Sequence, residues 1–164
     1  MTQENSARRD GLMAELQGEA RRYMAAYALF NQAVADHLRL HPTDVQCLNL
    51  LSMEREPVTI GRVAELTGLT TGSATRLVDR LERAGYVRRE RDAEDRRRVM
   101  VAPVPERMAE LGDFWRRLNG TWGGLFDGYG DDELALLTTY MRRTVELSAQ
   151  QIDRLRSGEF DEAG

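Results

Sequence analysis

Thr70, Thr71, Ser73, Thr75 and Arg76 gather hydroxyls and a guanidinium into residues 70–76, and Asp95, Arg96, Arg97 and Arg98 close a charged run at 92–98. The chemistry open to such a set is non-covalent. Small hydroxyl side chains reach base edges, and guanidinium groups pair with guanine or phosphate. Catalysis has no comparable set. His37 and His41 lie close together, Cys47 sits in an apolar run, and there is no glycine-rich phosphate loop. No nucleophile–base pair can be assigned from these, so an enzyme is not expected. The remaining carboxylates are expected to pair with neighbouring arginines on helix faces, Asp79 with Arg80 and Glu82 with Arg83.

The elements that must position these groups follow in order. A short helix over Gly61–Thr67 and a turn at Gly68-Leu69 lead to a long helix over Thr71–Ala84. A strand over Tyr86–Arg91, a loop over Asp92–Arg98 and a strand over Val99–Ala102 come next. Gly68 can take a positive φ without a Cβ penalty, and Thr70 or Thr71 can cap the next helix. Val63, Leu66, Leu69, Ala74, Leu77, Val78 and Leu81 fall at helical spacing and would pack the helix pair. The start of the second helix is then left outward, where a helix–turn–helix meets the major groove. Gly72 costs about 1 kcal/mol of helix stability relative to alanine. It permits close approach to a phosphate or base. An arginine at the tip of the charged hairpin suits a narrow minor groove, with the adjacent acids holding it in place.

The run Leu69-Thr-Thr-Gly-Ser-Ala-Thr-Arg-Leu-Val-Asp-Arg-Leu-Glu-Arg-Ala-Gly-Tyr-Val87, followed by Asp92-Ala-Glu-Asp-Arg-Arg-Arg-Val99, resembles the MarR family of bacterial transcriptional regulators. The resemblance covers about 140 residues in order, and its most specific part is Asp92-x-x-Asp95-Arg96-Arg97. It implies a mainly α fold with a small β wing, a winged helix–turn–helix between long N- and C-terminal dimerisation helices. It implies that Arg97 is the minor-groove arginine and that Asp95 orients it. It also implies that Thr71, Ser73, Thr75 and Arg76 contact bases and phosphates, and that Arg80 contacts the DNA backbone. Two positions depart from the family pattern. Ala93 stands where proline is usual, which is expected to loosen the wing. Pro103-Val104-Pro105 replaces the usual Leu-Thr, which leaves the start of the following helix open.

The net charge of −4 suits double-stranded DNA only once it is divided. Residues 76–98 hold nine arginines and six acids, a local +3 against −7 for the rest. A basic footprint on an acidic body is the useful quantity. All 23 basic residues are arginine. A GC-rich genome explains that without any function, so arginine content alone does not argue for phosphate binding.

Further apolar faces flank this reader. Leu12, Leu16, Ala20, Tyr23, Tyr27, Phe30, Val34 and Leu38 share one face of a long helix. Met108, Leu111, Trp115, Leu118, Trp122 and Leu125 repeat the pattern, as do Leu134, Leu137, Met141, Val145, Ser148, Ile152 and Leu155. Gly128-Tyr-Gly130 separates the last two, with Asp131 as the expected cap. These helices exceed what a module of about 60 residues needs for its core. A two-fold homodimer would bury the surplus and space two recognition helices one DNA turn apart. The resemblance implies the same, over a pseudo-palindromic operator. The resulting division is residues 1–40 (tail and dimerisation helix), 41–104 (winged helix–turn–helix), 105–157 (dimerisation helices) and 158–164 (acidic tail). Low order is expected at 1–8 and after Ser157.

The weaker candidates have plainer readings. His41-Pro42-Thr43-Asp44 begins another helix, with Val45, Leu48, Leu51 and Cys47 on its buried side. Cys47 is expected to be a small core residue and not a redox sensor. His37 and His41 are four apart, and Cys47 or Asp44 could join them as metal ligands. Pro42 ends the helix near His41, however, and a hydrogen-bonding or capping role is expected for these histidines. No metal or cofactor is expected. Trp115 and Trp122 are expected in the core or the dimer interface. The resemblance also implies a crevice for a small aromatic or phenolic effector, lined by Tyr27, Phe30, His37 and Trp115. One cysteine allows no intrachain disulfide, and no apolar run is long enough to span a membrane, so a cytoplasmic protein is expected. The expected function is a dimeric, effector-released repressor. The alternative is a winged helix that binds protein and not DNA.

Overall fold

The computed structural model describes residues 3–92, 95–120 and 123–160. The chain divides into two units, residues 1–111 and 112–164. The first unit begins with α1 (Gln3–Leu38), α2 (Pro42–Leu51), β1 (Val58–Thr59), α3 (Ile60–Thr67) and α4 (Thr71–Arg83). It continues through β2 (Val87–Arg91), β3 (Val99–Pro103) and the start of α5 (Pro105–Asn119). The second unit holds the rest of α5, a 3₁₀ turn at Gly123–Phe126 and α6 (Asp131–Arg156). This is the mainly helical winged fold expected from sequence. Among the described residues no helix is long and apolar enough to cross a membrane.

The core of the first unit lies where α2, α3 and α4 meet the sheet. Val45, Cys47, Leu48 and Leu51 come from α2, Val63 and Ala64 from α3, and Ala74, Leu77, Val78 and Leu81 from α4. Val58, Val87, Val101 and Ala102 close it from the sheet. Leu66 and Leu69, expected in the same seam, are half-buried. Fully burying each large side chain stabilises the fold by about 1.5–3 kcal/mol. The sheet is antiparallel in the order β1-β3-β2. Val58 pairs with Val101, and β2 pairs with β3 from Val87–Pro103 out to Arg91–Val99. A third strand therefore joins the two expected from sequence. Its two residues are too few to show a strand pattern by themselves, and only β3 makes them one.

Several boundaries move for local reasons. Helix α1 starts at Gln3, so residues 3–8 belong to it. Gly130, not Asp131, occupies the cap of α6, and its N–H donates to Glu133 Oε2 at 2.8 Å. Helix α5 stops at Asn119, which takes Leu125 off the expected continuous face and into the 3₁₀ turn. Trp122 lies outside the described residues. Pro103 ends β3, and α5 opens with Pro105 in its first turn, where the missing N–H has no helical partner to lose. Val104 closes that junction: its N–H donates to Tyr86 O at 2.9 Å, and its carbonyl accepts from Met108. Beyond Ser157, Glu159 takes two hydrogen bonds from Arg154, whose guanidinium also stacks 4.7 Å from the Phe160 ring centre. The start of the acidic tail is thus tied back to its helix.

Arg39 ends α1 with φ 55°, in the left-handed region. Leu40 N–H reaches Ala35 O at 2.9 Å and Arg39 N–H reaches Asp36 O at 3.2 Å, a termination usually made by glycine. Arg39→Gly should stabilise the protein by about 1 kcal/mol and raise its thermal midpoint by a few degrees. A lower midpoint would show that the arginine side chain contributes more than its backbone costs. Cys47 is buried, and its thiol is pushed up to about 12, first by burial and then by the Asp44 charge. It is therefore a protonated core group at neutral pH. The native protein should resist iodoacetamide at neutral pH and label fully once unfolded. Rapid labelling of native protein would contradict this placement.

Candidate nucleic-acid interface

The outward start of α4 is organised by its own hydroxyls. Gly68 takes φ 70° at the end of α3 and turns the chain. Thr70, not Thr71, is the cap: its Oγ1 accepts from Ser73 N–H at 3.3 Å. The same hydroxyl donates to Ser73 Oγ at 3.1 Å, and Arg76 Nη2 donates to that oxygen at 3.2 Å. Thr70, Ser73 and Arg76 therefore form one connected chain. Thr75 Oγ1 donates to Thr71 O at 2.9 Å, so its oxygen keeps lone pairs as acceptors. Thr71, Gly72 and Arg76 are exposed. A Cβ at Gly72 would meet nothing within 4 Å, so the space over this turn is open to an incoming backbone.

Charged side chains fix how α4 sits. Arg80 grips Asp44 of α2 with two nitrogens, Nε at 3.1 Å and Nη2 at 2.6 Å. The hydrogen bond to Asp44 holds the Arg80 guanidinium above its ordinary pKa, against the smaller downward pull of burial. Arg89 of β2 reaches Asp79 at 2.6 Å and also bonds Glu82, while its backbone N–H donates to Glu82 Oε1 at 3.1 Å. Burial pulls the Arg89 pKa down, but the bonds to Asp79 and Glu82 and their charges leave it raised. The expected neighbour pairs Asp79–Arg80 and Glu82–Arg83 are thus replaced. Consecutive side chains on a helix point about 100° apart and do not face each other. The carboxylates meet arginines from other elements instead.

The wing turn is held through its main chain. Asp92 N–H donates to Arg98 O at 3.1 Å, and Arg98 N–H donates to Asp95 O at 2.9 Å. Asp92 Oδ1 accepts from Asp95 N–H at 3.1 Å, and Asp95 Oδ1 accepts from Arg97 N–H at 3.0 Å. Asp95 therefore sets the backbone from which Arg97 projects. Arg96, Arg97 and Arg98 are exposed. Ala93, where the family pattern departs, lies outside the described residues. At the base, Arg107 of α5 stacks 4.6 Å from the Tyr86 ring centre.

The expected effector residues fall in two places. Tyr27, Phe30 and His37 lie along one face of α1, with Tyr27 and His37 exposed and Phe30 half-buried. Trp115 belongs to α5 in the second unit and is half-buried. His41 caps α2, with Nδ1 accepting from Thr43 N–H at 3.4 Å, as its capping role required. Asp44 and Arg89 were not singled out as partners of the reader helix. Asp44 did carry a signal: with Leu48 and Leu51 it falls on the buried stripe of α2, where a carboxylate needs a partner.

A family model described as MarR family matches residues 40–98, from the end of α1 through the wing turn. An uncharacterised helix–turn–helix transcriptional regulator, YcgE of Bacillus subtilis strain 168, is 40% identical over 128 residues, 78% of this chain and 82% of the relative. Among solved structures, a MarR family protein from Bacillus stearothermophilus superposes with a TM-score of 0.67 at 20% identity, over 85% of this chain and 97% of that one. The crystal structure of MarR superposes with a TM-score of 0.56 at 28% identity, over 82% and 98%. With its winged helix and an outward, arginine-bearing reader helix, the chain belongs to the MarR family of DNA-binding transcriptional regulators and is not an enzyme.

Proposed function

We propose that the protein is a homodimeric, cytoplasmic repressor that binds a pseudo-palindromic operator overlapping a promoter. The Thr70–Ser73–Arg76 chain at the exposed start of α4 carries this reading. It presents a pre-ordered arginine and hydroxyls where base edges would lie, so little side-chain freedom is lost on binding. Thr71 and Thr75 extend that face. Arg97, held by Asp95 and flanked by Arg96 and Arg98, enters the minor groove. Arg80 contacts a backbone phosphate.

Dimerisation is supported by apolar surface that this chain leaves exposed. On α1 these residues include Leu12, Leu16, Tyr23 and Tyr27, and on α6 Met141, Val145, Ile152 and Leu155. Such continuous apolar faces mark interaction surfaces. A two-fold pairing buries the same faces on both copies. A small aromatic or phenolic effector would favour a dimer with a different half-site separation. It would release DNA by its differential affinity for the two states.

On DNA from the protein's own upstream region, binding should saturate, survive unrelated competitor and weaken steeply with salt. Arg97→Ala should lower operator affinity by about tenfold to a hundredfold with the dimer mass unchanged. Equal binding by that variant would remove the wing from the interface. A panel of phenolic ligands should include one that changes tryptophan fluorescence and releases the operator, and a flat response across a broad panel would count against the effector.

A further inference from the structure

Asp44 is the buried charged side chain among the described residues, 2% exposed. Its carboxylate is shared between its own helix and the reader. Oδ2 accepts from His41 N–H at 3.3 Å and from Arg80 Nε at 3.1 Å, and Oδ1 accepts from Arg80 Nη2 at 2.6 Å. Arg80 itself is not buried, with 39% of its side chain exposed. It lies seven residues beyond Ser73 and four beyond Arg76 along α4, on the same helical face. A guanidinium is planar and forked, so fixing Nε and Nη2 also fixes the direction of Nη1.

We infer that Asp44 is a positioning residue for DNA binding: it holds Arg80 by two nitrogens so that the third meets a backbone phosphate beside the Ser73–Arg76 face. The inference rests on the DNA-binding reading above and adds a residue that touches no DNA. The carboxylate acts in two directions. As a negative charge beside a polyanion it weakens attraction. As an anchor it removes the rotamer freedom that Arg80 would otherwise lose on binding. Its replacement therefore has opposite signs under the two roles, and the sign can be measured.

Asp44→Asn keeps a side-chain oxygen for the His41 N–H and removes the charge that holds Arg80. Binding to a labelled operator duplex and to a random duplex is measured for wild type, Asp44→Asn, Arg80→Met and the double variant, over a range of salt. Asp44→Asn should lose about tenfold in operator affinity while random-duplex affinity stays level or rises. Arg80→Met should lose a similar factor and flatten the salt slope by about 0.9. The double variant should be no weaker than Arg80→Met, because Asp44 acts through Arg80. Undiminished operator binding by Asp44→Asn overturns the inference. So does an equal loss in both backgrounds, which would make Asp44 a staple of the fold alone. If Asp44→Asn does not fold, Arg80→Lys decides. A single ammonium cannot span carboxylate and phosphate as the fork does, so its operator affinity should fall as for Arg80→Met, and wild-type affinity would overturn the inference. Failure of the wild-type protein to bind the operator at low salt would instead refute the DNA-binding reading, and this inference with it.

Discussion

The buried side of α4 is the constraint from which the reader follows. Ala74, Leu77, Val78 and Leu81 are wholly removed from water between α3, α2 and the base of the wing. At about 1.5–3 kcal/mol for each large side chain, this seam outweighs any exposed ion pair, which contributes about 0–1 kcal/mol. A helix with one face so committed has no choice about which residues it turns outward. Thr71 and Arg76 are exposed, with Ser73 and Thr75 half-buried beside them, because Ala74, Leu77 and Val78 are inside.

Charge then refines what burial has set. Arg89 ties β2 to Asp79 and Glu82, and Arg80 ties α4 to Asp44, so the helix is gripped on two further sides. Both grips use the forked guanidinium, which matches two carboxylate oxygens or two carboxylates at once. The arginine-only composition, which has a compositional explanation, is here put to structural use. It is also why the local excess of positive charge overstates the footprint. Arg80 and Arg89 are partly neutralised by acids inside the fold, and the exposed arginines of the wing and Arg76 carry the outward charge.

The winged helix was legible because its punctuation is local. A glycine at 68 and a threonine cap mark the turn between the helices, and the glycine does adopt a positive φ. The neighbours of the charged groups were not legible in the same way. Asp44 and Arg80 are separated by 36 residues, and no spacing rule joins them. Strand β1 was missed because two residues carry no period, and α5 ended early because an apolar repeat can continue past the point where the helix stops. The exposed faces of α1 and α6 agree with the surplus apolar surface expected from sequence.

The wing separates shape from content. Its turn is closed by main-chain groups and by the carboxylates of Asp92 and Asp95, while Arg96 and Arg97 project from it. The side chains at 96 and 97 are therefore open to replacement without rebuilding the loop that carries them. In an evolving lineage such a tip is a place where exposed side chains can be exchanged at little cost in folding, while the two aspartates keep the turn closed.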